Sequence, residues 1–162
     1  MSIIVYIDGL IEPVNPGGIA TYGFVVYRGG VRIYEEAGLV GSGMDGDDVS
    51  NNVAEYTGLI KALEWLVKNN LTVNVTVKCD SQLVVMQMNN LYRVHASRIL
   101  NLHRKAIELT KMFKEIKFIW IPRSENIEAD SLSRKAYLDF IKKNWSRVRK
   151  YYADYKRLKV NS

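Results

Sequence analysis

The chain has 162 residues, of which 48% are hydrophobic and 25% charged, a balance typical of one globular domain and unlike that of a disordered or fibrous protein. Its formal net charge of +6 is compatible with a polyanionic partner. No apolar run approaches the ~20 residues of a membrane-spanning helix, and the N-terminal residues lack the basic region and cleavage site of a secretory signal, so we expect neither.

The first half of the sheet is predicted by three β-prone segments. Residues 3–8, IIVYID, are nearly all apolar, as in a strand that is covered on both faces. A loop rich in Pro and Gly follows. Residues 19–28 and 31–40 flank Gly29 and Gly30, and a Gly-Gly pair between β-prone segments predicts a tight hairpin because both turn positions tolerate positive φ.

Helical and strand patterns alternate in the rest of the chain. Apolar residues at helical spacing predict a helix over 51–69, which Ser50, Asn51 or Asn52 could cap. A strand that ends at Cys79 follows, and Asp80 could cap the next short helix. A helix over 97–114, a strand that stops at Pro122 and a last helix complete the order β-β-β-α-β-α-α-β-α. This order predicts an α/β fold, a mixed sheet with helices on both faces.

Four carboxylates can converge on one edge of this sheet. Asp8 and Asp80 each follow an apolar strand, and ligands of open α/β sheets bind beyond the carboxyl ends of the strands. Glu55 and Asp130 fall near the starts of helices that follow loops. Because like charges at short range repel, such a cluster requires a cation or a shared proton.

Each carboxylate taken singly also has an ordinary structural explanation. Asn52 and Glu55 have the spacing of a capping box, and Asp80 could simply be a helix cap. Asp130 could be a solvated residue on a helix face, and Asp8 could begin a turn. Only their joint placement favours a functional site.

The chemistry of such a site follows from its ligands. Four carboxylates, with no His or Cys at the spacing of a zinc site, favour Mg²⁺ or Mn²⁺ over Zn²⁺. We expect His95 and His103 to be structural or exposed. Two such ions could activate a water molecule and stabilise the leaving oxygen of a phosphodiester. A nucleoside triphosphatase is disfavoured because the sequence has no phosphate-binding loop of the G-x-x-x-x-G-K-[ST] type.

The residues at these positions resemble type 1 ribonuclease H. The resemblance rests on IDG at 7–9, SNNVAEYTGLIKAL at 50–63, CDSQLV at 79–84 and PRSENIEADSLSRKA at 122–136, which occur in the family's order between residues 1 and about 140. It implies a ribonuclease H-like sheet of five strands, three antiparallel and then two parallel. It also implies that two Mg²⁺ ions, which Mn²⁺ could replace, are bound by four catalytic residues: Asp8, Glu55, Asp80 and Asp130.

The resemblance further implies the reaction and the substrate contacts. The RNA strand of an RNA–DNA hybrid would be cut endonucleolytically to give 3′-hydroxyl and 5′-phosphate ends. An amide side chain can both donate to and accept from a ribose 2′-hydroxyl, which suits the asparagines for reading RNA. The residues implied to bind substrate are Gly9, Asn15, Ser50, Asn51, Asn52, Ser81 and Arg123.

Three features depart from the family's pattern. Arg123 lies in a short loop, PRSEN, where many members have a longer loop that bears a His. The basic protrusion of some relatives is missing, because NNLYRVHAS at 89–97 is short. Leu10 follows Asp8 and Gly9 where a small polar residue is common. In place of the missing His, Arg123 could hold phosphate or stabilise developing charge.

We divide the chain into a catalytic domain over 1–140 and a basic amphipathic extension over 141–162, which we expect to be helical. The extension is either packed on the core by its apolar stripe or a clamp on the duplex by its basic face, and both can hold at once. Its basic residues are Lys142, Lys143, Arg147, Arg149, Lys150, Lys156, Arg157 and Lys159.

Two other functions remain open at this point. One is a non-catalytic module that binds hybrids or duplexes on the same fold, and the other is a related metal-dependent nuclease that acts on another nucleic acid. We expect an RNA–DNA hybrid as the partner, double-stranded RNA as a second substrate, and a monomer with no membrane association. Cys79 is the only cysteine, which fits a reducing compartment, and we expect the protein to be cytoplasmic.

Overall fold

A computed structural model describes residues 2–155 of the chain. It contains the strands β1 (Ile3–Glu12), β2 (Ile19–Arg28), β3 (Val31–Ser42), β4 (Val75–Cys79) and β5 (Ile116–Trp120). Its helices are α1 (Asn51–Lys68), α2 (Gln82–Met88), α3 (Ser97–Thr110), α4 (Ile127–Lys143) and α5 (Trp145–Tyr151). Short 3₁₀ turns occupy Gly43–Asp45 and Arg123–Glu125.

The five strands form one mixed sheet in the order β3-β2-β1-β4-β5. The first three strands pair antiparallel, and β4 and β5 extend the sheet in parallel with β1. Gly29 and Gly30 form the hairpin turn with φ of 56° and 80°, as the Gly-Gly pair predicts. The predicted fold class, a five-stranded ribonuclease H-like sheet, is confirmed.

Helices cover the two faces of the sheet unequally. Alternate residues of a strand point to opposite faces, and Tyr22 and Phe24 of β2 pack in the large core that also contains side chains of α1, α2 and α3. Gly23 between them faces α4, because a Cβ there would lie 2.8 Å from the carbonyl oxygen of Ala129. One face therefore carries α1, α2 and α3, and the opposite face carries α4.

Strand β1 is longer than its apolar segment predicts. Asp8 lies within the strand and not at its end, because antiparallel pairing with β2 continues to Glu12. The parallel pairing with β4, however, stops at Ile7 and Cys79. Asp8 is thus the first residue of β1 beyond the parallel ladder, and the expected proximity to the end of β4 is retained for that reason.

Of the helix caps that the sequence offers, Ser50 is observed for α1, whereas Asp80 as the cap of α2 and the Asn52–Glu55 capping box are not formed. Ser81, and not Asp80, caps α2, with its Oγ accepting a hydrogen bond from the Val84 amide at 3.3 Å. Ser50 caps α1 by accepting from the Val53 amide at 3.2 Å. The first turn of α1 has no acidic residue, so Glu55 does not form a capping box with Asn52. Asp80 and Glu55 are therefore not explained by a role in helix capping.

The C-terminal segment returns to the core after α4. The boundary expected at residue 140 falls inside α4, and α5 follows after Asn144. Val148 and Tyr152 are buried in a cluster with Leu10, Ile19, Tyr137 and Ile141. The rest of the extension, residues 156–162 with Lys156, Arg157 and Lys159, lies outside the described residues. Within residues 2–155, no helix combines the length and the apolar character needed to cross a bilayer.

The cap of α1 can be tested by paired substitutions. We expect Ser50→Ala to lower the free energy of unfolding by about 1 kcal/mol, because the Val53 amide loses its acceptor. Asn52→Ala, which removes the other side chain that the sequence offers as a cap, should cost a few tenths of that amount. Urea unfolding of both variants measures the difference, and equal losses would contradict the assignment.

Candidate active site

A cavity of about 290 Å³ opens where the parallel part of the sheet ends. It lies between the start of α1, the end of β4 and the start of α4. All four predicted carboxylates line it. The lining residues are Asp8, Gly9, Leu10, Ile11, Glu12, Asn51, Glu55, Asp80, Arg123, Asp130 and Arg134.

Each carboxylate reaches the cavity from a different element. Asp8 projects from β1, and Asp80 follows the last residue of β4. Glu55 comes from the second turn of α1, and Asp130 from the start of α4. Asp8 and Glu55 are 5% and 3% exposed, whereas the Asp130 side chain is 34% exposed. The cluster therefore has a buried half and a half that opens to solvent.

Gly9 permits the contact between α1 and β1. A Cβ at residue 9 would lie 2.4 Å from the Glu55 nitrogen and 2.6 Å from the Ala54 carbonyl carbon, distances that no side chain can occupy. The backbone amide of Gly9 also lowers the pKa of Asp8 and of Glu55, against the larger effect of burial. The predicted substrate residue Gly9 thus lines the cavity, and its lack of a side chain is required by the helix behind it.

Burial and mutual repulsion raise the pKa of three of the carboxyl groups. The pKa of Asp8 rises to about 8, first because of burial and then because of the Asp80 charge and a hydrogen bond with Asp130. Burial, followed by the charges of Asp8 and Asp80, raises the pKa of Glu55 well above its usual range. Burial also raises the pKa of Asp80, against the opposing effects of Asn126 and Arg123.

Cys79 contacts the cluster from the core side. Its Sγ lies 3.7 Å from Glu55 Oε2, and one ligand atom each from Glu55, Cys79 and Asp80 fit within 4.8 Å of one another. Burial is the main cause that raises the pKa of the Cys79 thiol, so the group stays protonated. The thiol donates a hydrogen bond to Glu55, and Cys79, which is 1% exposed, is not among the residues that line the cavity. The donor set that faces the cavity consists of carboxylate oxygens.

This donor set fits a divalent cation. Four carboxyl groups line one cavity, and two of them are nearly inaccessible to water, which is the arrangement that a protein retains when a cation or protons compensate the charge. All-oxygen sites suit Mg²⁺ or Mn²⁺. His103 does not line this cavity, and its Nδ1 lies 3.2 Å from the hydroxyl of the buried Tyr56.

Two arginines lie at the mouth of the cavity in different states. Arg123 is 74% exposed, and its Nη2 is 3.9 Å from Asp130 Oδ1, at the limit of an ion pair. Arg134 is held by Glu12 through two hydrogen bonds of 3.0 and 3.2 Å. Arg123 is therefore the freer of the two cations to meet an anion that enters the cavity.

The remaining predicted substrate residues are divided between this cavity and its neighbourhood. Asn51 lines the cavity, and its backbone amide donates to Asn15 Oδ1 at 3.0 Å. Asn52 is partly exposed on the same turn. Ser50 is 7% exposed and caps α1, and Ser81 caps α2, so both hydroxyls already have structural partners.

Four residues of the site were not predicted from the sequence. Asn126 is 1% exposed and donates to the Ile7 carbonyl at 2.8 Å, which ties the start of α4 to β1. Cys79 supports Glu55, and Glu12 pairs with Arg134. Arg134 could have been found, because it lies four residues after Asp130 and so on the same helical face. The other three depend on contacts between distant segments.

The electrostatic cost of the cluster predicts how the metal-free protein responds to pH. The pKa of Asp8 is about 8 in the folded protein and 3.8 in its reference state, so the folded state keeps a proton that the unfolded chain releases. This group therefore lowers stability as pH rises from about 4 to about 8. With a chelator present, Asp8→Asn should gain at least about 1 kcal/mol at pH 8 and little near pH 4.

Urea unfolding at several pH values measures this gain. Asp139→Asn, which removes an exposed carboxylate from the same protein, is the matched control and should leave stability nearly unchanged at every pH. An Asp8→Asn variant that is less stable than the wild type at about pH 8 would contradict the described electrostatics.

Comparison with known proteins identifies relatives of the chain. The sequence model of the reverse transcriptase-like family matches residues 29–136. The bifunctional protein Rv2228c of Mycobacterium tuberculosis is 36% identical over 138 residues, which are 84% of this chain and 35% of that protein. The chain thus spans about a third of the length of the curated relatives that it matches.

Solved structures agree with the sequence comparison. The N-terminal RNase H domain of Rv2228c superposes with a TM-score of 0.74 at 35% identity, covering 83% of this chain and 92% of that chain. RNase H1 of Halobacterium salinarum gives 0.76 at 28% identity, covering 86% and 99%. LC11-RNase H1, isolated from compost and solved in complex with an RNA/DNA hybrid, gives 0.72 at 32% identity, covering 83% and 95%.

The resemblance that the motifs predict is thus confirmed by sequence and by structure. The chain belongs to the type 1 ribonuclease H family of endonucleolytic hydrolases, within the reverse transcriptase-like group.

Proposed function

We propose that this ribonuclease H hydrolyses the RNA strand of RNA–DNA hybrids and leaves 3′-hydroxyl and 5′-phosphate ends. The observation that carries this proposal is the convergence of Asp8, Glu55, Asp80 and Asp130 on one cavity. The substrate is supported by a relative, LC11-RNase H1, whose structure was solved in complex with an RNA/DNA hybrid.

The four carboxylates would hold two Mg²⁺ ions, which Mn²⁺ could replace. When bound, the ions supply activation of water and stabilisation of the leaving oxygen of the phosphodiester. The protein keeps the ligands at fixed positions, because Asp8, Glu55 and Asp130 belong to a strand and two helices that are packed into the core and Asp80 directly follows β4. The Cys79 thiol donates to Glu55 and so orients its carboxylate.

Recognition of the hybrid is assigned to the turn at the start of α1. Asn51 and Asn52 have partly exposed side chains there, and Asn15 lies against the same turn through its bond to the Asn51 amide. These carboxamides can bond ribose 2′-hydroxyls, which DNA lacks. Arg123, with its exposed guanidinium at the mouth of the cavity, would bind a backbone phosphate. Ser81, beside Asp80, would contact the backbone as well.

We further propose that double-stranded RNA is a secondary substrate and that the domain acts as a monomer in the cytoplasm. Asn15, Asn51 and Asn52 support double-stranded RNA as a substrate, because both strands of that duplex carry the 2′-hydroxyls that these side chains can bond. The single, reduced Cys79 supports a reducing compartment.

A cleavage assay tests the proposal. The protein is incubated with Mg²⁺ and, in parallel, with an end-labelled RNA–DNA hybrid, double-stranded RNA and double-stranded DNA. We expect cleavage of the RNA strand of the hybrid and none of the double-stranded DNA. No cleavage of the hybrid would overturn the proposal. Binding without cleavage would indicate a non-catalytic module, and cleavage of DNA alone would indicate a different nuclease.

Glu55→Gln separates catalysis from folding. The substitution removes a buried charge while it retains the size of the side chain, so the metal-free variant should be at least as stable as the wild type. We expect the hybrid-cleaving rate to fall by at least about 100-fold. Isothermal titration with Mg²⁺ should show weaker binding, and a variant that binds and cleaves like the wild type would remove Glu55 from the site.

A further inference from the structure

The hydroxyl of Tyr152 joins two turns that are distant in sequence. Tyr152 directly follows α5 and is 1% exposed. Its hydroxyl donates to the Gly17 carbonyl at 2.9 Å and accepts from the Met44 amide at 3.2 Å. A buried hydroxyl with both a donor and an acceptor role satisfied fixes the two backbones relative to each other.

The turn over residues 13–18, which we name the Asn15 turn, is held from several sides. The Gly17 amide donates to the Val49 carbonyl at 3.0 Å, and the Gly18 carbonyl accepts from the Gly43 amide at 3.0 Å. Asn15 Oδ1 accepts from the Asn51 amide at 3.0 Å. The Asn15 turn therefore lies between the residues after α5 and the start of α1.

Helix α5 is itself anchored at two points. Val148 is fully buried in the cluster with Tyr137 and Ile141 of α4. Arg147 Nη1 lies 2.8 Å from Asp45 Oδ1 in the 3₁₀ turn that also carries Met44. Because α5 contacts both the core and this turn, Tyr152 is held in place by contacts other than its own hydrogen bond to Gly17.

We propose that α5 is a strap that holds the Asn15 turn in place, and that Tyr152 is a positioning residue of the enzyme. Tyr152 acts through the Gly17 carbonyl on the Asn15 turn and, through Asn15, on the Asn51 amide and the asparagines that face the substrate. The effect of Tyr152 on substrate binding rests on the proposed function. The structural coupling between Tyr152 and the Asn51 backbone amide does not rest on it, and this coupling can be measured without substrate.

The C-terminal extension also carries a basic face. The explanation that competes with the strap is that this face clamps the nucleic acid duplex. Lys142, Lys143, Arg149 and Lys150 are exposed on α4 and α5. A clamp would act by neutralising phosphates, so its loss would reduce the dependence of hybrid binding on salt. A strap acts through backbone geometry and leaves that dependence unchanged.

The test compares two Tyr→Phe variants. Tyr152→Phe removes the bridging hydroxyl and keeps the buried ring. Tyr137→Phe is the matched control, because its hydroxyl is buried in the same cluster and has no hydrogen-bond partner among residues 2–155. Circular dichroism confirms that both variants are folded. Hydrogen exchange of the Asn51 amide, which does not touch Tyr152, is the first measurement.

For Tyr152→Phe we expect the Asn51 amide to exchange roughly 3- to 10-fold faster, the range that corresponds to the loss of one typical hydrogen bond. KM for the hybrid should rise by about the same factor, kcat should stay within about twofold, and the salt dependence of binding should be unchanged. Tyr137→Phe should match the wild type in all four measurements.

The outcomes separate this proposal from the proposed function. Unchanged exchange of the Asn51 amide in Tyr152→Phe, or faster exchange in both variants, would overturn the strap. A reduced salt dependence with unchanged exchange would overturn it in favour of the clamp. If the wild type does not cleave the hybrid, the proposed function fails, and the exchange measurement still decides whether the strap exists.

Discussion

The candidate active site depends on the close approach of α1 to β1 at Gly9. The helix backbone at Ala54 and Glu55 occupies the space that any side chain at residue 9 would need. This contact brings Glu55 next to Asp8, the residue that precedes Gly9 in the chain. The Gly9 amide also lowers the pKa of both carboxyl groups, so the peptide unit that allows the approach partly offsets the effect of their burial.

The same close approach lowers the stability of the folded protein when the carboxyl groups are ionised. Desolvation and mutual repulsion oppose ionisation of Asp8 and Glu55, and the packed core around them prevents the carboxylates from separating. A protein whose carboxylates hold protons near neutral pH must release those protons when a cation binds. If the cluster binds a metal ion as proposed, metal affinity and folding stability are coupled, and both respond to pH through Asp8.

The sequence was sufficient for the fold because its signals were local. The Gly-Gly hairpin, the apolar strands and the helical spacing each belong to one segment, and together they predict the order of elements that is observed. Asp8 and Asp80 were found because they directly follow apolar runs, and Glu55 and Asp130 because they lie near the starts of helices that follow loops. Ser50 was one of the offered caps of α1, but the sequence could not choose between it and Asn52, or between Asp80 and Ser81, because side-chain geometry decides which oxygen reaches the amide. Cys79, Glu12 and Asn126 were missed because their partners lie 24, 122 and 119 residues away.

The two halves of the site are held by different kinds of structure. Three of the carboxylates project from a strand and two helices, and Asp80 directly follows β4, so many packed side chains decide where they lie. In the Asn15 turn, Val14 packs against the cluster that contains Tyr152, and single hydrogen bonds join the turn to Val49, Gly43, Tyr152 and Asn51. Sites on regular elements are held more rigidly than sites on loops. If the Asn15 turn recognises the substrate as proposed, single contacts at its periphery can tune that recognition, whereas the proposed metal-binding cluster can be changed only by altering the core.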